Sequence, residues 1–213
     1  MHERHDGHRP MDIAFICTGN ICRSPMGEGM LRARLAEVAP HLVVGSAGLL
    51  FDGRPAEPEA VKVMAKRGVD IESHQAQRIS AGLLGEAALI LGMERHHVRE
   101  VAVLDPALWP RTYTLPEFSA LAAEAGPRSP HQSLREWVEL VGAMRSAADY
   151  AYDDPASEIA DPYGGSARAY RVAASTIERH LDALVALAWP TPELGGDVAA
   201  ATPGGSHADR HRR

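Results

Sequence analysis

Five residues, Thr18, Gly19, Asn20, Ile21 and Cys22, separate Cys17 from Arg23, and Ser24-Pro25 follow at once. A loop of this length can curl so that its backbone N–H groups point inward as an anion nest. Gly19 and Asn20 tolerate the positive φ angles that such a curl requires. Inward amides, an adjoining helix N-terminus and the Arg23 guanidinium all favour negative charge, so Cys17 is expected to be a thiolate. A thiolate beside an anion nest is a nucleophile for phosphorus. Arg23 would hold two phosphate oxygens in its planar fork. As those oxygens spread toward the equatorial plane, preorganised donors favour the transition state. Ser24 would donate its hydroxyl to the Cys17 sulfur and help the thiolate leave when water cleaves a phosphocysteine.

A departing alkoxide or phenoxide needs a proton, which a carboxylic acid across the pocket would supply. Asp105, Asp154 and Asp161 each precede a proline. Asp161-Pro162-Tyr163-Gly164-Gly165 is the best placed, directly before a long helical pattern, with an aromatic neighbour for a pocket mouth. Asp154 is second. Plainer readings exist for each feature. Cys17 and Cys22 could be buried structural thiols, Asp161 a turn residue before proline and Phe51 a loop anchor. His74 reads as structural, His96 and His97 as solvated on a short helix, His180 as a helix-edge residue, and Trp137 as core or interface.

These residues need a scaffold, and the chain reads as one. Asp12 to Cys17 is a short apolar strand. Ser24 to about Val38 is a helix, with Ser24 at the N-cap and Pro25 at the first helical position. Leu42 to Ser46 is a second strand. Glu57 to Arg67 is a helix closed by Gly68. Ala87 to Met93 is a buried strand, Glu94 to about Val101 a short helix, and Arg111 to Leu115 a fourth strand. Leu134, Trp137, Val138, Val141 and Met144 recur at helical spacing, and Gly164 to about Leu187 is a long last helix. The segment 121–131 passes from helix into a Gly/Pro loop. Strands alternating with helices predict a parallel sheet covered on both faces. Nucleophile and arginine would then lie at the carboxyl end of the first strand, where open α/β sheets bind ligands.

Bulk properties narrow the function. Of the 213 residues, 45% are hydrophobic, enough for a sizeable core. A net charge of −6 argues against a general nucleic-acid binder. Two cysteines are too few for a disulfide scaffold, so a cytoplasmic location is expected. The start of the chain has no apolar run of signal-peptide type, and no apolar run spans a membrane. Residues 1–10 and 191–213 read as flexible tails around a domain at 11–190. His2, His5 and His8 lie in the first tail without a fixed supporting shell, so no metal site is expected there.

Cys17 to Pro25 after an apolar strand, with Asp161-Pro162-Tyr163 before the last helix, resembles the low-molecular-weight protein-tyrosine phosphatase family. The likeness extends through Ser46-Ala47-Gly48, the His74 segment and Leu89 to His97, and covers roughly residues 11–188. It implies a three-layer, doubly wound α/β fold with a four-stranded parallel sheet, a phosphate-binding loop after the first strand, and neither metal nor cofactor. It implies Cys17 as nucleophile, Arg23 as phosphate clamp, and Asp161 as general acid and then base. Thr18, Gly19, Asn20, Ile21, Cys22 and Ser24 would form the phosphate loop, with Asn20, Ser46 and His74 holding its shape. Phe51 and Tyr163 would wall the substrate ring. Cys22 would trap oxidised Cys17 as a disulfide. The implied partners are phosphotyrosine-containing proteins, with inorganic phosphate as product.

Two features depart from the family pattern: a longer stretch after Glu117 through the Trp137 helix, and one tyrosine followed by glycines beyond Asp161. Both bear on substrate preference. Three other functions compete. A thioredoxin-coupled arsenate reductase needs further cysteines after Cys22, and there are none. A protein-arginine phosphatase carries threonine just before the second loop cysteine, where this chain has the bulky, apolar Ile21. A non-enzymatic phosphate-binding module would lack the nucleophile or the acid, and both are present.

Overall fold

The computed structural model describes residues 10–145 and 155–190. Asp154 and nearly all of both expected tails lie outside the described residues. Strand β1 (Ile13–Cys17) is buried along its whole length, which suits a strand covered on both faces. It pairs in parallel with β2 (Val44–Gly48) on one side and β3 (Leu89–Gly92) on the other. β4 (Thr112–Thr114) adds in parallel to β3, so the sheet order is β2-β1-β3-β4. The chain thus leaves β1 in one direction and later returns to its other side. Cys17 ends the strand at that switch point, where crossing loops part and leave a crevice.

Side chains alternate across β1 and split the core into two layers. Ile13, Phe15 and Cys17 face one cluster, with α1 (Arg23–Val38), α2 (Pro58–Ala65), α5 (Leu115–Ala125), α6 (Leu134–Gly142) and α7 (Ala167–Ala188). Ala14 and Ile16 face a smaller one, with α3 (Ala81–Leu84), α4 (Arg95–Leu104) and Leu108 of a 3-10 turn. The expected three-layer α/β architecture with a four-stranded parallel sheet is therefore present. No described helix is long and apolar enough to cross a membrane.

Several boundaries differ from the expectation for identifiable reasons. α1 begins at Arg23 with Cys22 as its N-cap, and Ser24 caps nothing; its hydroxyl is committed to Cys17 instead. β2 starts two residues later than Leu42, whose N–H closes a turn onto the Ala39 carbonyl. β4 stops at Thr114 because Thr114 and Glu117 form a capping box that launches α5, with Pro116 in its first turn. α7 starts at Ala167, where the Ser166 hydroxyl accepts the Ala169 N–H, rather than at Gly164, which turns with φ +70°.

The stretch beyond Glu117 joins the main core. Trp137 is fully buried, packs edge-on to Phe118 at 5.7 Å, and donates its indole N–H to the Gly126 carbonyl at 3.1 Å. Arg145 follows α6, pairs with Glu117 at 2.9 Å and lies over the Trp109 ring at 3.9 Å. Truncating Trp137 to alanine removes the largest buried side chain and is expected to cost about 3–5 kcal/mol. Urea unfolding of Trp137→Ala checks this; a loss below about 1 kcal/mol would mean that α6 is not integral to the core.

Candidate active site

The loop after β1 is organised by Asn20, which has φ +52° and is fully buried. A left-handed non-glycine residue costs about 1–2 kcal/mol. Every polar group of Asn20 is engaged in return. Its N–H donates to Cys17 Sγ at 3.2 Å, and its Nδ2 donates to Ser24 Oγ at 2.9 Å and to Ser46 Oγ at 2.8 Å. Its Oδ1 accepts the Gln77 N–H at 2.9 Å, and its carbonyl accepts from His74 Nε2 at 2.7 Å. At roughly 1 kcal/mol each, these bonds outweigh the backbone cost.

The same bonds set proton directions. Ser24 Oγ accepts from Asn20, so its hydrogen is free to donate to Cys17 Sγ, 3.0 Å away. Ser46 Oγ likewise accepts from Asn20 and donates to Glu28 Oε2 at 2.6 Å. Ser46 and His74 thus both hydrogen-bond to Asn20 in the loop. Gly19 does not use a positive φ, contrary to expectation. Its service is room: a Cβ there would lie 3.1 Å from Ile21 and 3.2 Å from Phe51. Gly48 is more constrained, since a Cβ would lie 2.7 Å from the Asn20 backbone nitrogen.

Arg23 is almost fully buried and is met by two carboxylates. Its Nη1 pairs with Glu94 and donates to the Ile159 carbonyl at 2.9 Å, while Nη2 pairs with Asp161 Oδ2 at 2.9 Å. Among the described residues its Nε–H has no acceptor. Asp161 arrives beside Arg23 because the chain before it is tied down. The Ile159 N–H donates to the Met93 carbonyl at 2.8 Å, and Glu158 accepts the Arg95 N–H at 3.0 Å. Asp161 Oδ1 also accepts the Tyr163 N–H at 3.2 Å, so the turn bond and the pair with Arg23 coexist. Asp105, by contrast, caps the 3-10 turn after α4.

His97 corrects the sequence reading. It is fully buried, whereas only His96 is exposed. Gly92 makes the space: a Cβ on Gly92 would lie 3.1 Å from the His97 Cβ. His97 Nδ1 accepts the Glu94 N–H at 2.9 Å, so the ring proton is on Nε2 and is donated to Thr18 Oγ1 at 3.0 Å. One neutral imidazole therefore joins the phosphate loop to the residue that holds Arg23. Burial, with Arg23 and His96 nearby, pushes its pKa down to about 3.

Cys17, Thr18, Gly19, Ile21, Cys22, Arg23, Phe51, Asp161 and Tyr163 line one cavity of about 110 Å³ together with Leu50. Phe51 and Tyr163 form its walls. Arg54 fastens them, with its guanidinium 4.7 Å from the Phe51 ring centre and 5.8 Å from that of Tyr163. The two cysteines differ in kind. Cys17 faces the loop donors, whereas Cys22 lies 3.6 Å from the Tyr170 hydroxyl, and burial pushes its thiol up to about 12. Glu28, Gln77, Glu94 and Arg54 were not foreseen. Glu28 is one turn after Ser24 on α1, and Glu94 lies just past the carboxyl end of β3, so helical spacing and the strand-end rule are the signals that point to them.

Residues 12–125 match the family described as low molecular weight phosphotyrosine protein phosphatase. A probable low molecular weight protein-tyrosine-phosphatase, EpsP, of Ralstonia nicotianae is 36% identical over 130 residues, covering 61% of this chain and 87% of the relative. The crystal structure of a low molecular weight protein tyrosine phosphatase from T. tengcongensis superposes with a TM-score of 0.62 at 28% identity, covering 82% of this chain and 97% of that one. The YwlE arginine phosphatase from Geobacillus stearothermophilus superposes with a TM-score of 0.61 at 26% identity, covering 82% and 90%. The chain belongs to the low-molecular-weight phosphotyrosine protein phosphatase family, and it is a phosphatase of that class.

The buried His97 generates a pH prediction. Unfolded, it takes a proton near 6.5; folded, it resists protonation to about 3. Between those values the unfolded state binds more protons, so stability rises with pH across the window and is lost as pH falls from 6.5. At about 1.4 kcal/mol per unit, wild type is expected to lose roughly 2 kcal/mol more than His97→Asn between pH 7 and pH 5. Urea titrations of both proteins at the two pH values measure this; equal losses would show that His97 is not the buried neutral group described.

Proposed function

We propose that this phosphatase hydrolyses phosphotyrosine in protein substrates through a phosphocysteine intermediate on Cys17. The observation that carries the proposal is the pair of donors on one sulfur: Ser24 Oγ at 3.0 Å and the Asn20 N–H at 3.2 Å, in a cavity shared with Arg23 and Asp161. Those donors favour a thiolate, while Cys22 stays a thiol at neutral pH. In this reading the loop from Thr18 to Cys22 cradles the phosphate, and Arg23, held from behind by Glu94, offers its fork and its Nε–H to the oxygens.

The Cys17 thiolate attacks phosphorus, the bond from phosphorus to the tyrosyl oxygen breaks, and Asp161 gives that oxygen a proton. Phosphate in the loop takes Arg23 from Asp161 and, by its own charge, favours the protonated acid. Water then attacks the phosphocysteine as Asp161 takes its proton. The thiolate leaves onto the Ser24 and Asn20 donors, and inorganic phosphate departs. No metal or cofactor enters these steps. Ile21 and Phe51 offer apolar surface to an aryl ring, which supports phosphotyrosine over phosphoarginine. Two free cysteines suit a reducing, cytoplasmic setting.

Steady-state kinetics on phosphopeptides test this. Cys17→Ser is expected to abolish turnover while still binding phosphotyrosine peptide; retained turnover would sink the mechanism. Asp161→Asn is expected to slow aryl phosphate hydrolysis by about 10²–10⁴, and Asp154→Asn far less. Equal effects would mean a different acid. Ile21→Thr should raise the ratio of phosphoarginine to phosphotyrosine hydrolysis; an unchanged ratio would show that Ile21 does not set the preference.

A further inference from the structure

A second cleft opens between the end of α2 and α7, lined by Arg67, Arg168, Arg171, Ser175 and Arg179 with Val172 and Thr176. Arg67 is fixed in it, donating to Ser175 Oγ at 2.9 Å and pairing with Glu178 at 3.3 Å. Arg168, Arg171 and Arg179 are exposed, and no carboxylate among the described residues pairs with them. The acids of α7 are used elsewhere: Asp182 pairs with Arg34, and Glu178 lies between Arg34 and Arg67.

Positions 168, 171, 175 and 179 share one helical face. Glu178 and Asp182 continue this face, but Glu178 is paired with Arg34 and Arg67 and Asp182 with Arg34, so Arg168, Arg171 and Arg179 stand without a carboxylate partner among the described residues, in a chain of net charge −6. Arg168 also opposes the helix: it sits in the first turn of α7, near its partial positive charge, where no acid offsets it. Helix stability therefore does not explain the arrangement.

The cleft starts beside the catalytic mouth. α7 begins just after Asp161 and Tyr163, and α2 begins just after Arg54 and Glu57. Arg54 donates to the Tyr163 hydroxyl at 3.4 Å near the two starts, and Arg67, past the end of α2, donates to Ser175 on α7, so the two helices run away from the mouth side by side. Eleven residues at about 1.5 Å each separate Arg168 from Arg179 by roughly 16 Å along the axis. An extended segment of about five residues spans that distance.

We propose that this cleft docks an acidic segment of the phosphoprotein substrate, flanking the phosphorylated residue. The proposal rests on the phosphatase reading above. Guanidinium forks pair with carboxylates in planar, two-point fashion, and the opposed charges speed encounter in a manner that salt screens.

The test uses the full chain and three substrates: p-nitrophenyl phosphate, a phosphotyrosine peptide with glutamates on both flanks, and the same peptide with glutamines. Wild type is expected to prefer the glutamate peptide by about tenfold in kcat/KM at low salt, mainly through KM, and to lose the preference in high salt. Arg168→Gln/Arg171→Gln/Arg179→Gln should lose it at any salt and hydrolyse p-nitrophenyl phosphate at the wild-type rate. The corresponding triple lysine variant should keep most of it. Equal treatment of the two peptides by wild type, with p-nitrophenyl phosphate still hydrolysed, overturns the docking proposal alone. So does binding to phosphatidylserine vesicles that needs the three arginines while no peptide preference exists, which would assign the surface to a membrane. Failure of wild type on all three substrates overturns the phosphatase reading and the docking proposal with it.

Discussion

The site depends on the left-handed turn at Asn20. That φ angle lies between the end of β1 and the start of α1, in the residue whose N–H is directed at the Cys17 sulfur. It is unfavourable for a residue with a Cβ, and it persists because five groups on four segments grip the residue. Two of these grips have a second effect. The bond to Ser24 frees that hydroxyl's hydrogen for Cys17, and the bond to Ser46 passes through to Glu28. The donors to the Cys17 sulfur and the shape of the loop thus belong to one network, not two.

The charge of the site is balanced by a second constraint. A buried guanidinium is costly unless paired, and Arg23 is paired behind by Glu94 and in front by Asp161. The two partners differ in freedom. Glu94 begins α4 and is fixed through its N–H by His97. Asp161 is partly exposed, in a turn held by Ile159 and Glu158. An arginine gripped firmly on one side and loosely on the other can change its second partner. That asymmetry suits the phosphate-clamp role proposed for Arg23.

His97 couples the two constraints. Its Nδ1 serves Glu94 and its Nε2 serves Thr18, so a displacement of α4 would be felt at both the loop and the arginine. Its neutrality is a consequence of burial near Arg23. A second positive charge there would compete with Arg23 for the same carboxylates.

Much of this was legible in the sequence, for local reasons. Cys17, Arg23 and Ser24 are close along the chain, so their spacing already specifies a curled loop. β1 and the pattern of strands and helices follow from apolar runs and period, which are short-range properties. Asp161 was found because proline and tyrosine mark a turn before a helix. What was not legible depends on distance. Helical spacing puts Glu28 beside Ser24, but its partner Ser46 comes from β2, and nothing near Gln77 indicates its bond to Asn20, which is a tertiary contact. His97 looked solvated because its neighbours are charged, and only the small Gly92 on β3 lets it turn inward. Ser24 looked like a helix cap because its neighbours fit one; the tertiary fold instead gave its hydroxyl to a sulfur. By itself, the sequence determined the class of fold and the loop that carries Cys17, Arg23 and Ser24, since local spacing and periodicity encode them. The tertiary structure alone decided which carboxylates meet Arg23 and which bonds fix Asn20, because burial and cross-strand register bring together residues far apart in the chain.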